Sequence, residues 1–150
     1  MSLEFQTLYI CPTMARIVAI DYGNKRVGIA ATDPLQMIAS GITTVHSKDV
    51  FNFLKDYVSK EEVECFVVGE PKRLNNQKTD ATPFVEAFVK DLKKHFPDKP
   101  VFMVDERFTS KMASQTLLAS GVKKKERQNK ELLDTISATI ILQSFMESRS

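Results

Sequence analysis

The sequence predicts an α/β protein whose core is a five-stranded mixed β-sheet with α-helices on both faces. Five apolar runs rich in β-branched residues have the length of strands, a short turn joins the first two, and amphipathic helical patterns separate the later ones. A short turn joins antiparallel strands, whereas a helical connection is usual between parallel neighbours. The sheet is therefore expected to be mixed, with crossover helices packed on both of its faces.

The predicted strands differ in how deeply they should be buried. The run from Glu64 to Gly69 is largely apolar, as expected of a parallel strand that is covered on both faces. The run from Gly41 to Val45 alternates between apolar and polar residues and is expected to be more exposed. The five predicted strands are residues 16–21, 27–32, 41–45, 64–69 and 100–104.

Four helices are predicted from their caps and apolar stripes. Ser47 is expected to cap the first helix, and Thr82, followed by Pro83, is expected to begin the second. A third helix is predicted over residues 109–120 and a last one over about residues 130–147. The residues expected to face the core are Val50, Leu54, Tyr57 and Val58 in the first helix, Phe84, Phe88, Leu92 and Phe96 in the second, and Met37, Met103 and Met112 elsewhere.

The length and composition predict one soluble domain. The chain has 150 residues, 43% of them hydrophobic and 27% charged, and we expect residues 15–150 to form the domain and residues 1–14 to be an N-terminal extension. The sequence shows no features of a signal peptide. Its apolar runs are far shorter than the ~20 residues that a membrane helix needs. Cys11 and Cys65 form no Cys-x-x-Cys motif, which predicts a reducing, cytoplasmic setting.

The net charge of +2 conceals an uneven distribution along the chain. Residues 107–130 carry seven basic residues and one acid, whereas the rest of the chain carries 14 basic and 18 acidic residues. A basic run is often a solvated surface or a helix end. The alternative is a surface that binds a polyanion such as a nucleic acid.

Acidic residues follow the three strands that should be parallel to one another. Asp21 ends the first strand, Glu70 follows the fourth, and Asp105 with Glu106 follows the fifth. Because open α/β sheets place their chemistry at the C-terminal ends of parallel strands, we expect these carboxylates along one edge. Taken singly, Glu70 would be a surface-loop acid and Asp105 a salt-bridge partner. Together, such acids repel one another unless a proton or a cation neutralises them.

Asp134 is a further acid, within an apolar helical stretch. The small Ser137 and Ala138 at positions i+3 and i+4 would let this helix approach the sheet with the carboxylate pointing inward. The alternative is an acid in the first turn of a helix, where the helix dipole stabilises it. Mg²⁺ and Mn²⁺ prefer oxygen ligands, so several carboxylates around a pocket suit them better than zinc. Such ions support hydrolysis of phosphodiester bonds.

Four segments occur in a characteristic order along the chain. They are residues 20–28 (Ile-Asp-Tyr-Gly-Asn-Lys-Arg-Val-Gly), 67–71 (Val-Val-Gly-Glu-Pro), 104–110 (Val-Asp-Glu-Arg-Phe-Thr-Ser) and 134–138 (Asp-Thr-Ile-Ser-Ala). In this order and spacing, the chain resembles the YqgF (RuvX) family over about residues 15–147. The resemblance implies a ribonuclease H-like fold and metal-dependent nucleic-acid cleavage. The family is described as a nuclease in 5′-end maturation of pre-16S ribosomal RNA and, alternatively, as a Holliday junction resolvase.

The resemblance also implies roles for the acids. By motif, Asp21, Glu106 and Asp134 would be catalytic and would hold Mg²⁺ or Mn²⁺, with Asp105 as the second candidate in the fifth-strand pair. Many family members have an apolar residue at the position of Glu70, whereas related resolvases carry a catalytic acid near that point. Glu70 is therefore expected to be either an additional metal ligand or a loop residue.

Basic residues near these acids are expected to hold phosphates. Contacts to the phosphate backbone give salt-sensitive and largely sequence-independent affinity. The expected partners are precursor ribosomal RNA or a four-way DNA junction, and also the ribosome, with the protein acting as a monomer or a homodimer. The predicted nucleic-acid-binding residues are Lys25, Arg26, Lys72, Arg73, Arg107, Lys123, Lys124, Lys125 and Arg127.

Two other classes of function fit part of the sequence. Asp21, Gly23 and Gly28 are spaced as in the phosphate-binding hairpin of the actin, hexokinase and Hsp70 superfamily. Those proteins close two such domains around ATP, and 150 residues leave room for one. The second alternative is a non-catalytic adaptor that keeps the fold and binds nucleic acid or the ribosome.

Overall fold

The elements follow one another along the chain in the order that the sequence predicts. A computed structural model describes residues 15–70, 82–105 and 130–149. Within these residues there are five strands and three helices; three strands come first, and a single 3-10 turn at Ser47–Asp49 precedes the first helix. The elements are β1 (Arg16–Tyr22), β2 (Arg26–Thr32), β3 (Ala39–His46), α1 (Val50–Lys60), β4 (Val63–Glu70), α2 (Thr82–His95), β5 (Val101–Asp105) and α3 (Lys130–Arg149).

The five strands form one mixed sheet in the order β3-β2-β1-β4-β5. β2 pairs antiparallel with both β1 and β3, whereas β4 pairs parallel with both β1 and β5. Because β1, β4 and β5 run in the same direction, Asp21, Glu70 and Asp105 lie along the same edge of the sheet. The predicted mixed sheet and the shared edge of these acids are confirmed.

Helices cover both faces of the sheet, as predicted. α1 and α2 pack on one face, which we call the α1/α2 face, where Leu54 and Phe88 meet Phe66 of β4 in a buried cluster. α3 packs on the opposite face, the α3 face, where Ile141 and neighbouring residues meet Ala19, Ala30, Cys65 and Val67. Alternate residues of each strand therefore belong to different faces, as the pleat of a strand requires.

Two details of the predicted helices are wrong. The residue expected to cap α1, Ser47, instead starts the 3-10 turn, and its hydroxyl donates a 2.7 Å hydrogen bond to the carbonyl oxygen of Asn24. In α2, Phe84 is 53% exposed and Val85 is buried in its place. Residues spaced by four drift around a helix of 3.6 residues per turn. The buried face of α2 therefore begins at Val85 and not at Phe84.

The prediction that two methionines fill the core is also wrong. Met37 lies in the loop between β2 and β3 and is 71% exposed, and Met103 of β5 is exposed as well. β5 is paired with β4 on one side and ends the order of the described sheet, so less of it is covered. The third methionine of that prediction, Met112, lies outside the described residues.

Several predictions concern residues that the structure does not describe. They are the N-terminal extension of residues 1–14, the helix over residues 109–120 and most of the basic segment 107–130. Within the described residues, α3 has 20 residues, yet neither it nor the shorter helices has an apolar stretch able to cross a membrane.

Candidate active site

Asp21 lies near the end of the central strand β1, directly opposite Gly28 of β2. Residues directly opposite in an antiparallel pair present their side chains on the same face of the sheet. Two positions away, the opposed pair Ala19 and Ala30 belongs to the cluster under α3. The alternation of the two strands therefore places Asp21 on the α3 face.

Asp134 reaches the same corner because α3 lies against the backbone of β2. A Cβ atom on Gly28 would overlap the carbonyl oxygen of Asp134 and come within 3.1 Å of the backbone nitrogen of Thr135. Ser137 and Ala138 are buried one turn further on, as the inward orientation of this helix requires. Gly28 therefore has both predicted acids as neighbours, Asp21 through the sheet pairing and Asp134 through the backbone of α3.

The position of Asp134 in its helix excludes the alternative explanation. α3 begins at Lys130, and the acid in its first turn is Glu131. Asp134 lies one turn further along the helix, where the dipole effect has largely decayed. Its place is explained by the packing of α3 on β2 rather than by stabilisation of the helix end.

Arg26 forms an ion pair with Asp134 at the start of β2. Its Nε donates to Oδ2 of Asp134 at 2.8 Å, and the Arg26 and Asp134 side chains are 38% and 23% exposed. Arg26 is two residues before Gly28 on the same strand, so both belong to the α3 face. The sequence predicts Arg26 as a nucleic-acid-binding residue, and the structure adds a carboxylate partner for it.

The first turns of α3 are also anchored to the edge strand β3. The Thr44 hydroxyl donates to the backbone oxygen of Glu131 at 2.7 Å and lies 2.7 Å from the hydroxyl of Thr135. Thr44 is paired with Gly28 in the sheet, which places it on the same face. Gly41 of β3 also contacts this helix closely, since a Cβ there would come within 2.5 Å of Cγ2 of Thr135. These contacts hold the segment that carries Asp134.

Glu70 and Asp105 share the edge with Asp21 but lie on the other face. Glu70 is four residues after Phe66 in β4, so the two side chains lie on the same face of the sheet. Glu70 and Glu86 of α2 line a cavity of about 270 Å³ on that face. Asp105 is two residues after Met103 in β5 and lies on the same face, and Met103 lines the same cavity. The alternation of β4 and β5 therefore places both residues on the α1/α2 face, whereas Asp21 and Asp134 belong to the α3 face.

The remaining predicted site residues divide between described and undescribed segments. Lys25 is exposed in the turn between β1 and β2, and its carbonyl oxygen accepts a 3.1 Å hydrogen bond from the backbone N–H of Ser47. Across the described ranges, no three His, Cys, Asp or Glu side chains are grouped closely enough to hold a metal ion. The predicted residues that lie outside these ranges are Glu106, Lys72, Arg73, Arg107, Lys123, Lys124, Lys125 and Arg127.

Two site features escaped the sequence-based reasoning. The sequence presents Gly28 as part of a motif, whereas its structural role is to admit the backbone of α3. A glycine within a buried strand often marks the close approach of another backbone, and Gly28 lies in such a strand. The contact of Thr44 with α3 had no comparable signal, because its partners lie 87 and 91 positions away in the sequence.

The sheet order, the helices on both faces and the position of the acids define a ribonuclease H-like fold. Two solved structures share it at low sequence identity. T. thermophilus RuvC in complex with a Holliday junction substrate has a TM-score of 0.56 and 13% identity, covering 90% of this chain and 95% of that one. The fowlpox virus Holliday junction resolvase has a TM-score of 0.56 and 14% identity, covering 89% and 99%.

The chain belongs to the RuvX family, described as Holliday junction resolvase, which matches residues 15–148. Curated relatives cover nearly the same part of the chain. A Bacteroides thetaiotaomicron protein is 56% identical over 136 residues, which are 91% of this chain and 99% of the relative. A Flavobacterium psychrophilum protein is 56% identical over 133 residues, or 89% and 97%. Both are named "Putative pre-16S rRNA nuclease".

Proposed function

We propose that this protein is a nuclease that hydrolyses phosphodiester bonds with the help of Mg²⁺ or Mn²⁺, and that its substrate is the precursor of 16S ribosomal RNA. The observation that carries the proposal is the convergence of two acids from distant parts of the chain. Asp21 of β1 is the sheet partner of Gly28, and the backbone of Asp134 from α3 lies against the same glycine, at the edge formed by the ends of the parallel strands. That edge is where open α/β sheets bind their ligands.

The chemistry of this corner suits a hard divalent cation. Carboxylate oxygens are the preferred ligands of Mg²⁺ and Mn²⁺. Asp21 and Asp134 supply two such groups, and Arg26 offsets part of their negative charge. When bound there, a divalent cation would make a water molecule a stronger nucleophile and would stabilise the charge that develops on the leaving oxygen.

A third acid for this corner is proposed from the alternation of β5. Phe102 contacts Phe145 of α3, with ring centroids 5.2 Å apart, and Val104 packs against the same cluster. Even-numbered positions of β5 thus belong to the α3 face, and Asp105 belongs to the other. The same alternation favours Glu106, which lies outside the described residues, over Asp105 as the third ligand. The alternation of β4, in which Glu70 shares the face of Phe66 and Val68, likewise favours Glu70 as an acid outside the metal site.

Substrate binding is proposed to begin at the turn between β1 and β2. Lys25 is exposed there, four residues after Asp21, and can approach a phosphate group that lies beside the acids. The name of the relatives at 56% identity favours ribosomal RNA as the substrate. The family description and the RuvC complex favour a four-way DNA junction as the second candidate.

The proposal is tested by incubating the purified chain side by side with a labelled precursor 16S rRNA 5′ leader and a labelled four-way DNA junction. Mg²⁺ and Mn²⁺ are titrated, and EDTA is added to parallel samples. We expect cleavage of the RNA that requires the metal ion. Asp21→Asn and Asp134→Asn should each abolish this cleavage, because each removes a charged ligand. The circular dichroism spectrum of both variants should be unchanged.

Asp56→Asn is the matched control. Asp56 is an exposed acid of α1 whose ion-pair partner is Lys60, at 3.1 Å, and its loss should leave cleavage unchanged. Cleavage of the junction but not of the RNA would indicate that the function is junction resolution and not RNA processing. If the unmodified protein cuts neither substrate, while its binding survives Asp21→Asn, the protein is a non-catalytic adaptor and the nuclease proposal is wrong.

A further inference from the structure

We propose that Arg26 is a positioning residue for Asp134 and that its task in the active site is to orient this carboxylate rather than to bind phosphate. The inference rests on the proposed nuclease function and deepens it. It departs from the prediction based on sequence alone, in which Arg26 is grouped with Lys25 as a phosphate-binding residue.

The geometry of the ion pair is one-sided. Nε of Arg26 contacts Oδ2 of Asp134 at 2.8 Å, so the guanidinium engages one of the two carboxylate oxygens. Oδ1 is then the oxygen that can serve as a metal ligand. A carboxylate held through one oxygen has lost much of its rotational freedom, which lowers the entropic cost of binding a cation through the other.

The surroundings of the pair fit an orienting role. Arg26 approaches from β2, Thr44 holds the backbone of α3 from β3, and Gly28 admits that backbone between them. The Asp134 side chain is 23% exposed, so solvent screens the pair less than it would an exposed one. The helix position and the carboxylate orientation are thus determined by separate contacts, and Arg26 supplies the second.

The adjacent residue, Lys25, provides the contrast. Lys25 is exposed in the turn, whereas Arg26 is half-buried on the first position of β2 and directed to the α3 face. An ammonium group on a flexible stem suits a phosphate of the passing backbone. The two neighbouring cations therefore have different tasks, and variants of each can separate them.

The experiment measures Mn²⁺ affinity without substrate, by isothermal titration calorimetry confirmed by electron paramagnetic resonance, and nucleic-acid affinity in EDTA, by fluorescence anisotropy. Arg26→Gln should weaken Mn²⁺ binding by about 10-fold, within the ~10–100-fold range for residues that orient metal ligands. Arg26→Lys should restore part of this loss because it keeps the charge. Both variants should bind the RNA leader in EDTA within about twofold of the unmodified protein.

Two control variants make the result specific. Lys25→Gln should show the reverse pattern, with Mn²⁺ affinity kept and the slope of log affinity against log salt reduced by about 0.9 or less, the effect of losing one phosphate contact. Arg16→Gln removes an ion pair of the same kind, Nε of Arg16 to Oε2 of Glu61 at 3.2 Å, at the opposite end of the sheet. It should leave both affinities unchanged, even if it lowers the melting temperature.

Three outcomes would overturn the inference. Unchanged Mn²⁺ affinity in Arg26→Gln, with weaker RNA binding in EDTA, would make Arg26 a phosphate contact. Tighter Mn²⁺ binding would make it a competitor of the cation. An equal loss of Mn²⁺ affinity in Arg16→Gln would make the effect one of general stability. In contrast, failure of the unmodified protein to bind Mn²⁺, or unchanged binding in Asp134→Asn, would overturn the proposed metal-dependent function itself.

Discussion

The two faces of the sheet are packed in different ways. On the α1/α2 face, Phe66 and Phe88 fill the space between the sheet and its helices. On the α3 face, the strand positions near the site carry small residues, namely Ala19, Ala30 and Gly28. Large rings keep a helix at the distance of a packed side-chain layer, whereas small residues let a helix backbone approach the strands directly.

The difference between the faces separates stability from function. The α1/α2 face contains the larger buried cluster and aromatic pairs such as Tyr22 with Phe88, whose ring centroids are 4.3 Å apart. The α3 face has small residues near the site, and they let α3 place the backbone of Asp134 against Gly28, the sheet partner of Asp21. Variants on the first face should therefore alter the free energy of unfolding, and variants on the second should alter metal binding and cleavage.

The largest expected loss of stability follows Phe88→Ala. Phe88 is buried between Tyr22 and Phe51, so its truncation should lower the free energy of unfolding by about 3–5 kcal/mol. Urea titration measures this loss. Mn²⁺ affinity, measured at a temperature where the variant remains folded, should be unchanged. A loss of Mn²⁺ affinity in the folded variant would show that the two faces are not separable.

Gly28→Ala should destabilise the protein less than Phe88→Ala and impair metal binding and cleavage more. The new Cβ would overlap the backbone of Asp134, so α3 must shift, at a cost of about 1–3 kcal/mol, and carry the acid away from Asp21. Mn²⁺ binding and cleavage should both fall sharply. Gly41→Ala is the comparison variant: its Cβ would meet side-chain atoms of Thr135 rather than the helix backbone, so a smaller shift of α3 is expected. Equal effects of the two variants would contradict the importance of backbone contact.

Thr44→Val tests the anchor on β3. The substitution removes the hydroxyl that binds the Glu131 carbonyl and Thr135, which should lower the free energy of unfolding by about 0.5–1.5 kcal/mol and slow cleavage. Thr43→Val, on the same strand but the opposite face, is the control and should leave cleavage unchanged. Urea titration and cleavage rates on the RNA leader measure the two effects. An identical result for both variants would argue against a specific anchor for α3.

The smallest effect concerns Cys65, a buried thiol on the α3 face. Burial raises the pKa of this thiol from its ordinary value of 9.0 to about 11. The neutral thiol is favoured by the folded state, so its contribution to stability is complete below pH 9 and is lost as the pH rises toward 11. The stability difference between the unmodified protein and Cys65→Val should therefore be constant from pH 6 to 8 and shift against the thiol at pH 10. A pH-independent difference would contradict the assigned burial of Cys65.

Much of the fold is predictable from local patterns. The apolar runs predict all five strands of the described sheet to within two residues at each end, because each strand carries its own pattern of burial. Details of caps and stripes are less predictable, since Ser47 bonds to Asn24 outside its helix and the four-residue spacing that includes Phe84 drifts around α2. Local patterns determine which element forms, whereas its exact packing is decided by tertiary contacts.

The site is predictable in its acids and less so in their arrangement. Asp21 and Asp134 stand out as acids in apolar surroundings, but the pairing of Arg26 with Asp134 joins residues 108 positions apart. The face of the sheet on which Asp105 lies needs the phase of β5, which the contact of Phe102 with Phe145 supplies. No local pattern contains either fact, because both depend on which helix covers which face.

The central position of β1 has a consequence for the motions of the site. Its backbone is hydrogen-bonded to β2 on one side and to β4 on the other, so its amides should exchange with solvent through global unfolding rather than local fraying. Asp134, by contrast, is carried by a helix that can separate from the sheet without breaking a strand pair. We therefore expect local opening of the site to occur by movement of α3, while β1 stays in place.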